Sequence, residues 1–409
     1  TFTMSTDSSP SPNFLIISDV DGVLIHDNNP IPNALHGFKT LLQRWHDDFR
    51  PHLSREEHPH DIAHCFFTLT NGGGQTEQQR STLMNQLFEL DDFFHHERTF
   101  LAHTVIGRQF LEEFRDKKIL VISRDTMGNV LEHYGFTNVE YIWDFVEKHP
   151  YMFPYSSSAQ QEFGKRHDKG KQKEGRFVPL DELCKQEPIE AIMVLQNPSN
   201  WNDAAQAICD ILVSDGRVGC NKYNPRFDFY SPKRSSGESS LTNSTGNGEQ
   251  LESNIATHRG SAHEHNIPLI FCNPDLTYSG EFRGPRFTQG AFKVTVQALF
   301  KELHGREITN IQQFGKPLET TFSFVKREIQ KHLACETLPE RVYFIGDNPR
   351  SDIHGANNAG MFSILVRTGC FQSDEDNDLE HPAQLVCDDF DSAVAFIMER
   401  ELQFLHRGQ

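Results

Sequence analysis

The sequence predicts a two-domain α/β protein in which a parallel sheet is interrupted by an inserted second α/β unit, and three observations carry that prediction. Short, continuous apolar runs recur near both ends of the chain, as strands buried on both faces do. Four of these runs stop at polar residues. Between them lies a further alternation of strand-like and helix-like segments, and 409 residues suffice for two domains of ordinary size.

The first run, Phe14 to Ser18, ends in Asp19; the second, Cys65 to Leu69, ends at Thr70-Asn71-Gly72 and precedes a polar, helix-like segment over 75–90. Late in the chain, Val342 to Ile345 stops at Gly346-Asp347 and Phe362 to Val366 stops at Arg367. Ligands of open α/β sheets bind outside the carboxyl ends of the strands, so this edge is the expected active site. The intervening unit reads as strands at 118–122 and 191–195, with a helix from Trp201 to Ser214. The expected limits are 14–100 and 272–405 for the first domain and 101–271 for the insert. Two stretches lack any apolar period: 156–176 is Ser-rich and then Lys-rich, and 231–266 is dominated by Ser, Gly, Asn, Thr and His. Both are expected to be solvated loops, the second disordered, as is the N-terminus over 1–13.

Composition narrows the function. A formal net charge of −18 argues against nucleic acid and anionic membranes as partners, and it requires a local positive centre for any phosphorylated ligand. The eight cysteines show no C-x-x-C pair and no zinc-like spacing, so reduced thiols in an intracellular compartment are expected. No apolar run is long enough for a transmembrane segment, and 1–13 contains no Lys or Arg, unlike a secretory or transit signal.

Asp19 and Asp21 stand two apart at a strand end, with Gly22 allowing the backbone to turn away sharply. That spacing suits one carboxylate attacking phosphorus while the other shuttles a proton. A calcium loop also uses alternating acids, but Val23 and Leu24 are apolar and the spaced Glu ligand is absent. Asp347 and Asp352 repeat the pairing, and hard oxygen ligands suit magnesium: Asp19, Asp347 and the Asp21 backbone carbonyl would hold it, with Asp352 supporting the site or capping the next helix. Lys316, in Gly315-Lys316-Pro317, is the candidate fixed cation for the phosphoryl charge, although a lysine before a turn is commonly a surface residue. Thr70, Asn71 and the amides of Gly72 and Gly73 are candidate donors to phosphoryl oxygens; a helix cap is the competing role for Thr70.

The order Asp19/Asp21, Thr70, Lys316, Asp347/Asp352 closely resembles the four motifs of the haloacid dehalogenase (HAD) superfamily. A cap between the second and third motifs is similar to subclass IIA, with its large α/β cap of C2 type. Tyr134-Gly135-Phe136, Asn273-Pro274-Asp275, the run from Pro285 to Phe292 and Gly315-Lys316-Pro317 resemble the family named after the cat eye syndrome critical region protein 5. The resemblance implies a Rossmann-like core, Asp19 as nucleophile, Asp21 as acid/base, magnesium as cofactor and a mitochondrial association, a cytoplasmic one being the alternative. Two positions depart from the pattern: Gly72 stands where the wider subclass carries a second Asn, and Asn197 where an acid is expected. The expected function is magnesium-dependent hydrolysis of a phosphate monoester, of a small metabolite or lipid head group, through an aspartyl-phosphate. A phosphotransferase and a catalytically idle interaction protein are the alternatives, and homodimerisation is left open.

Overall fold

The computed structural model describes residues 14–52, 62–124, 129–150, 152–156, 185–214, 216–217, 267–278, 284–373 and 376–407. Of the expected polar stretches, 156–176 apart from Ser156 and all of 231–266 lie outside the described residues, as does the N-terminus 1–13.

Among the described residues, eleven strands build two parallel sheets. In chain order they are β1 Phe14–Ser18, β2 Phe66–Leu69, β3 Thr99–Phe100, β4 Ile119–Ile122, β5 Val139–Tyr141, β6 Ala191–Val194, β7 Leu269–Phe271, β8 Ile311–Gln313, β9 Arg341–Gly346, β10 Phe362–Val366 and β11 Leu385–Cys387. The first sheet has the order β11-β10-β9-β1-β2-β3. Its centre is β1, all five of whose residues are buried, paired in parallel with β9 on one side and β2 on the other. Parallel strands buried on both faces need no polar alternation, which is why these runs are continuously apolar. The register sets Ser18 opposite Ile345 and Thr68, so Asp19, Thr70 and Asp347 emerge at one edge.

The second sheet has the order β8-β7-β6-β4-β5. Along β4 the side chains divide by period two: Ile119 and Val121 join the large cluster that includes the first sheet, while Leu120 and Ile122 pack with Ile192, Val194 and Ile208. The sheet therefore has apolar partners on both faces. Its extent corrects one expectation. The chain was expected to return to the first domain at Cys272, yet β8 pairs with β7, so the second sheet keeps the chain until Gln313. Ile311-Gln312-Gln313, half-buried at the sheet edge, carries too little apolar character to read as a strand.

Among the described residues six longer helices surround the sheets: α1 Pro32–Arg44, α2 Glu77–Phe88, α3 Trp201–Val213, α4 Gln289–His304, α5 Glu319–His332 and α6 Phe390–Arg407. The start of α2 is fixed by a capping box, Thr76 accepting from the Gln79 amide while the Gln79 side chain accepts from the Thr76 amide. On α1, Phe38 is fully buried against the rings of Phe66, Phe88, Phe93, Phe94 and Phe390.

Candidate active site at the carboxyl edge of the first sheet

Three carboxylates converge where β1 and β9 end. Asp19, Asp347 and Asp352 are buried, each placing an oxygen within 4.8 Å of the others. Lys316 enters between them with its side chain only 1% exposed, its Nζ 2.8 Å from Asp19 Oδ1 and 2.7 Å from Asp352 Oδ1. The surface role open to this lysine is thus excluded. The second oxygen of Asp352 accepts the backbone N–H groups of Asp347 and Asn348, each at 3.0 Å. Asp352 therefore braces the turn and the lysine together, while Asn348, whose Oδ1 accepts the Arg350 amide, caps the helical turn Pro349–Ile353. Asp347 in turn accepts the Cys370 amide at 2.6 Å. Gly22 has φ +86°, and a Cβ there would stand 2.4 Å from Asp347 Oδ2, so this turn needs glycine both for its backbone and for its space.

The electrostatics are those of an anionic cluster with too few cations. Burial pushes the Asp19 carboxyl well above the ordinary carboxylate range, with Lys316 pulling it down and Asp352, Asp347 and Asp21 adding to the rise. Burial, followed by the Asp352 charge, pushes Asp347 up to about 7. Burial works against charge on Lys316, but Asp19 and Asp352 outweigh it and hold its pKa above the usual value. One ammonium shared among three acids leaves the cluster short of positive charge. A hard divalent cation fits both that deficit and the all-oxygen donor set.

Asp21, in contrast, is exposed and accepts the Thr70 hydroxyl at 3.0 Å on Oδ2. Thr70 Oγ1 itself accepts the Gly72 amide at 2.9 Å. Thr70 is therefore no helix cap, that role falling to Thr76. Asn71, expected to donate to substrate, is committed within the protein: Nδ2 donates to Asp275 Oδ2 at 2.8 Å and to the Lys316 carbonyl at 3.0 Å, and Oδ1 accepts the Lys316 amide at 2.8 Å. The side chain ties the end of β2 to the segment that delivers Lys316.

Above these groups lies a cavity of about 360 Å³ that includes Asp19, Asp21, Thr70, Asn71, Gly72, Lys316 and Asp347 in its wall. Gln196, Asn197, Asn273 and Asp275 complete it from the segments that follow β6 and β7. Burial pushes Asp275 up to about 6. Arg80, on α2, also lines the cavity. Neither Arg80, in the first turn of α2, nor Asp275 stands out in the sequence as a site residue. His103 and Thr104 are buried away from the cavity, where Thr104 donates to Glu77 Oε1 at 2.7 Å.

A parallel α/β core that gathers acids, a threonine and a lysine from four separate segments at one strand edge is the arrangement of a HAD-type hydrolase. The profile of haloacid dehalogenase-like hydrolases matches residues 16–137, and a HAD-hydrolase-like profile matches 313–393, one on each side of the insert. The chain belongs to this superfamily of hydrolases. It is 26% identical over 409 residues to a cardiolipin synthase (CMP-forming)/mitochondrial hydrolase fusion protein of Schizosaccharomyces pombe, covering 98% of this chain but 56% of that protein. To a mitochondrial hydrolase of Saccharomyces cerevisiae it is 25% identical over 397 residues, covering 92% of this chain and 93% of the relative. Among solved structures, a hypothetical protein of Pyrococcus horikoshii superposes with a TM-score of 0.51 at 15% identity, covering 94% of this chain and 99% of the other. A protein of Cytophaga hutchinsonii described as a possible sugar phosphatase of the HAD superfamily gives 0.51 at 15% identity, with 92% and 94% covered. These two likenesses establish the fold, including the cap. Among the described residues no helix is long and apolar enough to cross a membrane.

Proposed function

We propose that this protein is a magnesium-dependent phosphatase that hydrolyses a phosphate monoester through a phosphoryl group carried on Asp19. The observation that carries the reading is the contact of the buried Lys316 with both Asp19 and Asp352, beside Asp347 and below the Asp21–Thr70 pair. A catalytically idle scaffold has no use for a buried lysine shared by two acids, because such groups cost stability unless function retains them.

In the first step an oxygen of Asp19 attacks phosphorus, the ester P–O bond breaks, and Asp21 gives its proton to the departing alcohol oxygen. Asp21 then takes a proton from water as that water attacks phosphorus, and the bond to Asp19 breaks to release inorganic phosphate and restore the carboxylate. Thr70 orients the Asp21 carboxylate through its hydroxyl. Lys316 favours the ionised form of Asp19 against the effect of its burial and offsets phosphoryl charge. Asp19, Asp347 and the Asp21 backbone carbonyl would hold magnesium, whose chemistry is to neutralise phosphoryl oxygens beside this acidic cluster. Residues 14–100 and 314–405 form the catalytic unit in this reading, and 101–313 the cap. A cavity of about 360 Å³ with a mainly polar wall suits a small metabolite or a lipid head group. The mitochondrial names of the two long relatives support a mitochondrial location.

The test is turnover of p-nitrophenyl phosphate with magnesium. Activity is expected to vanish on chelation and to fall below about a hundredth in Asp19→Asn, which keeps the volume but not the nucleophile. Activity surviving exhaustive chelation would refute the metal assignment. Adding an alcohol acceptor and looking for its phosphate ester separates hydrolysis from phosphotransfer.

A further inference from the structure

Most donors that would be expected to meet the phosphoryl group are already used inside the protein. The Thr70 hydroxyl is given to Asp21, the Gly72 amide to Thr70, the Asn71 amide to Asp275 and the Lys316 carbonyl, and Lys316 Nζ to Asp19 and Asp352. Arg80 is the exception. Its side chain is on α2, 6% exposed, and lines the cavity. Its Nε is buried without a partner, and among the described residues the guanidinium makes no ion pair and no hydrogen bond. Another buried arginine, Arg98, instead donates from Nη2 to the Phe93 carbonyl at 2.7 Å.

A buried guanidinium with unused donors is costly, and such a group is retained where an anion completes it. Its direction is set by Gly72: the point where a Cβ would stand on that residue lies 3.7 Å from Arg80 Nη2, 3.1 Å from Thr70 Oγ1 and 2.6 Å from Asp21 Oδ2. The terminal nitrogens therefore reach the floor of the cavity on the Thr70–Asp21 side, where glycine leaves the approach open. The cavity wall holds Asp19, Asp21 and Asp347, and a phosphate monoester adds about two more negative charges. Of the other cations in the wall, Lys316 is committed to Asp19 and Asp352 and Arg124 is exposed to solvent, so the counterweight is small.

We propose that Arg80 is a substrate-binding residue that donates to the non-bridging oxygens of the phosphoryl group in this cavity. The inference rests on the phosphatase reading above and adds to it a second fixed cation. A planar fork meets a tetrahedral phosphate through two donors where an ammonium offers one, so Arg80→Lys should be only a partial substitute.

The experiment compares the magnesium-loaded wild type, Arg80→Gln and Arg80→Lys, with inorganic phosphate as a competitive inhibitor of p-nitrophenyl phosphate turnover and melting temperature measured alongside. Arg80→Gln is expected to raise the phosphate inhibition constant and the KM at least tenfold, with a smaller fall in kcat and no loss of melting temperature. Arg80→Lys is expected to raise both constants about threefold. If Arg80→Gln does not fold, the lysine variant decides, because it keeps the charge and loses the fork. A phosphate constant within twofold of wild type in the variants, with wild-type turnover intact, would overturn the role of Arg80 and leave the phosphatase reading standing. A wild type that neither turns over substrate nor binds phosphate would overturn both.

Discussion

Asp21 is needed twice in the two-step route, as an acid for the leaving alcohol and as a base for the attacking water, so its replacement should hurt the two steps unequally. With p-nitrophenyl phosphate the leaving group needs little protonation. Asp21→Asn should therefore release a burst of nitrophenol and then stall, with Asp19 carrying a phosphoryl group after acid quench. Mass spectrometry reads that adduct directly, and steady, unimpaired turnover with unmodified Asp19 would end the division of labour between the two acids. At this scale Asp19, Asp21, Asp347 and Asp352 were legible because a fixed spacing at a strand end carries them, and Lys316 only through its place in the order of the motifs. Asn71 was legible as a position but not as a role, since its partners, Asp275 and the Lys316 backbone, come from 204 and 245 residues away in the chain. Arg80 has no motif at all; what distinguishes it is the absence of a partner, which a sequence does not record.

At the scale of the elements, α1 buries Ala34, Gly37, Phe38 and Leu41, and Phe38 is the one set among aromatic rings. Phe38 lies 4.9 Å from Phe88 and 4.9 Å from Phe390 between ring centroids, and 5.6 Å from Phe66. Removing it should open a cavity among five aromatic neighbours, at a cost of about 3–5 kcal/mol. Phe38→Ala is thus expected to lower the melting temperature and the urea midpoint clearly while leaving turnover at low temperature unchanged, because Phe38 is not in the cavity wall. A variant with a wild-type urea midpoint would show that the cluster relaxes around the gap. The strands with strong apolar runs were legible for the same reason that this cluster is stable: each side chain has apolar neighbours on both faces of the sheet. β8 was not, because a half-buried edge strand of Ile-Gln-Gln has no such constraint.

For the whole molecule, the acidic cluster couples folding, proton uptake and metal. Burial and the Asp352 charge give Asp347 a folded-state value of about 7, above the ordinary carboxylate value that the unfolded chain has. Its contribution to stability is therefore fully present below about pH 4 and is lost as the pH rises through about 7, where the buried carboxylate ionises. Asp19 shifts in the same direction from its burial, with Lys316 opposing it. Magnesium requires the ionised form, so its stabilisation should grow over the same interval. Differential scanning fluorimetry should find a rise of roughly 5 °C on adding saturating magnesium at pH 8 and almost none at pH 5. An equal shift at the two values would dissociate metal binding from these carboxylates.

What the sequence determined by itself is the local chemistry: continuous apolar runs make buried parallel strands, and the residue that follows each run must appear at the carboxyl edge, so the acids, the threonine and their order along the chain follow from patterning alone. Where each run is placed among the sheets was decided only in three dimensions. The pairing of β7 with β6 and β8 assigns the stretch up to Gln313 to the second sheet and brings Lys316 back at the point where it enters between Asp19 and Asp352. Tertiary structure also decided which polar groups are spent and which are unspent, because burial and hydrogen-bond partnership depend on segments far apart in the chain.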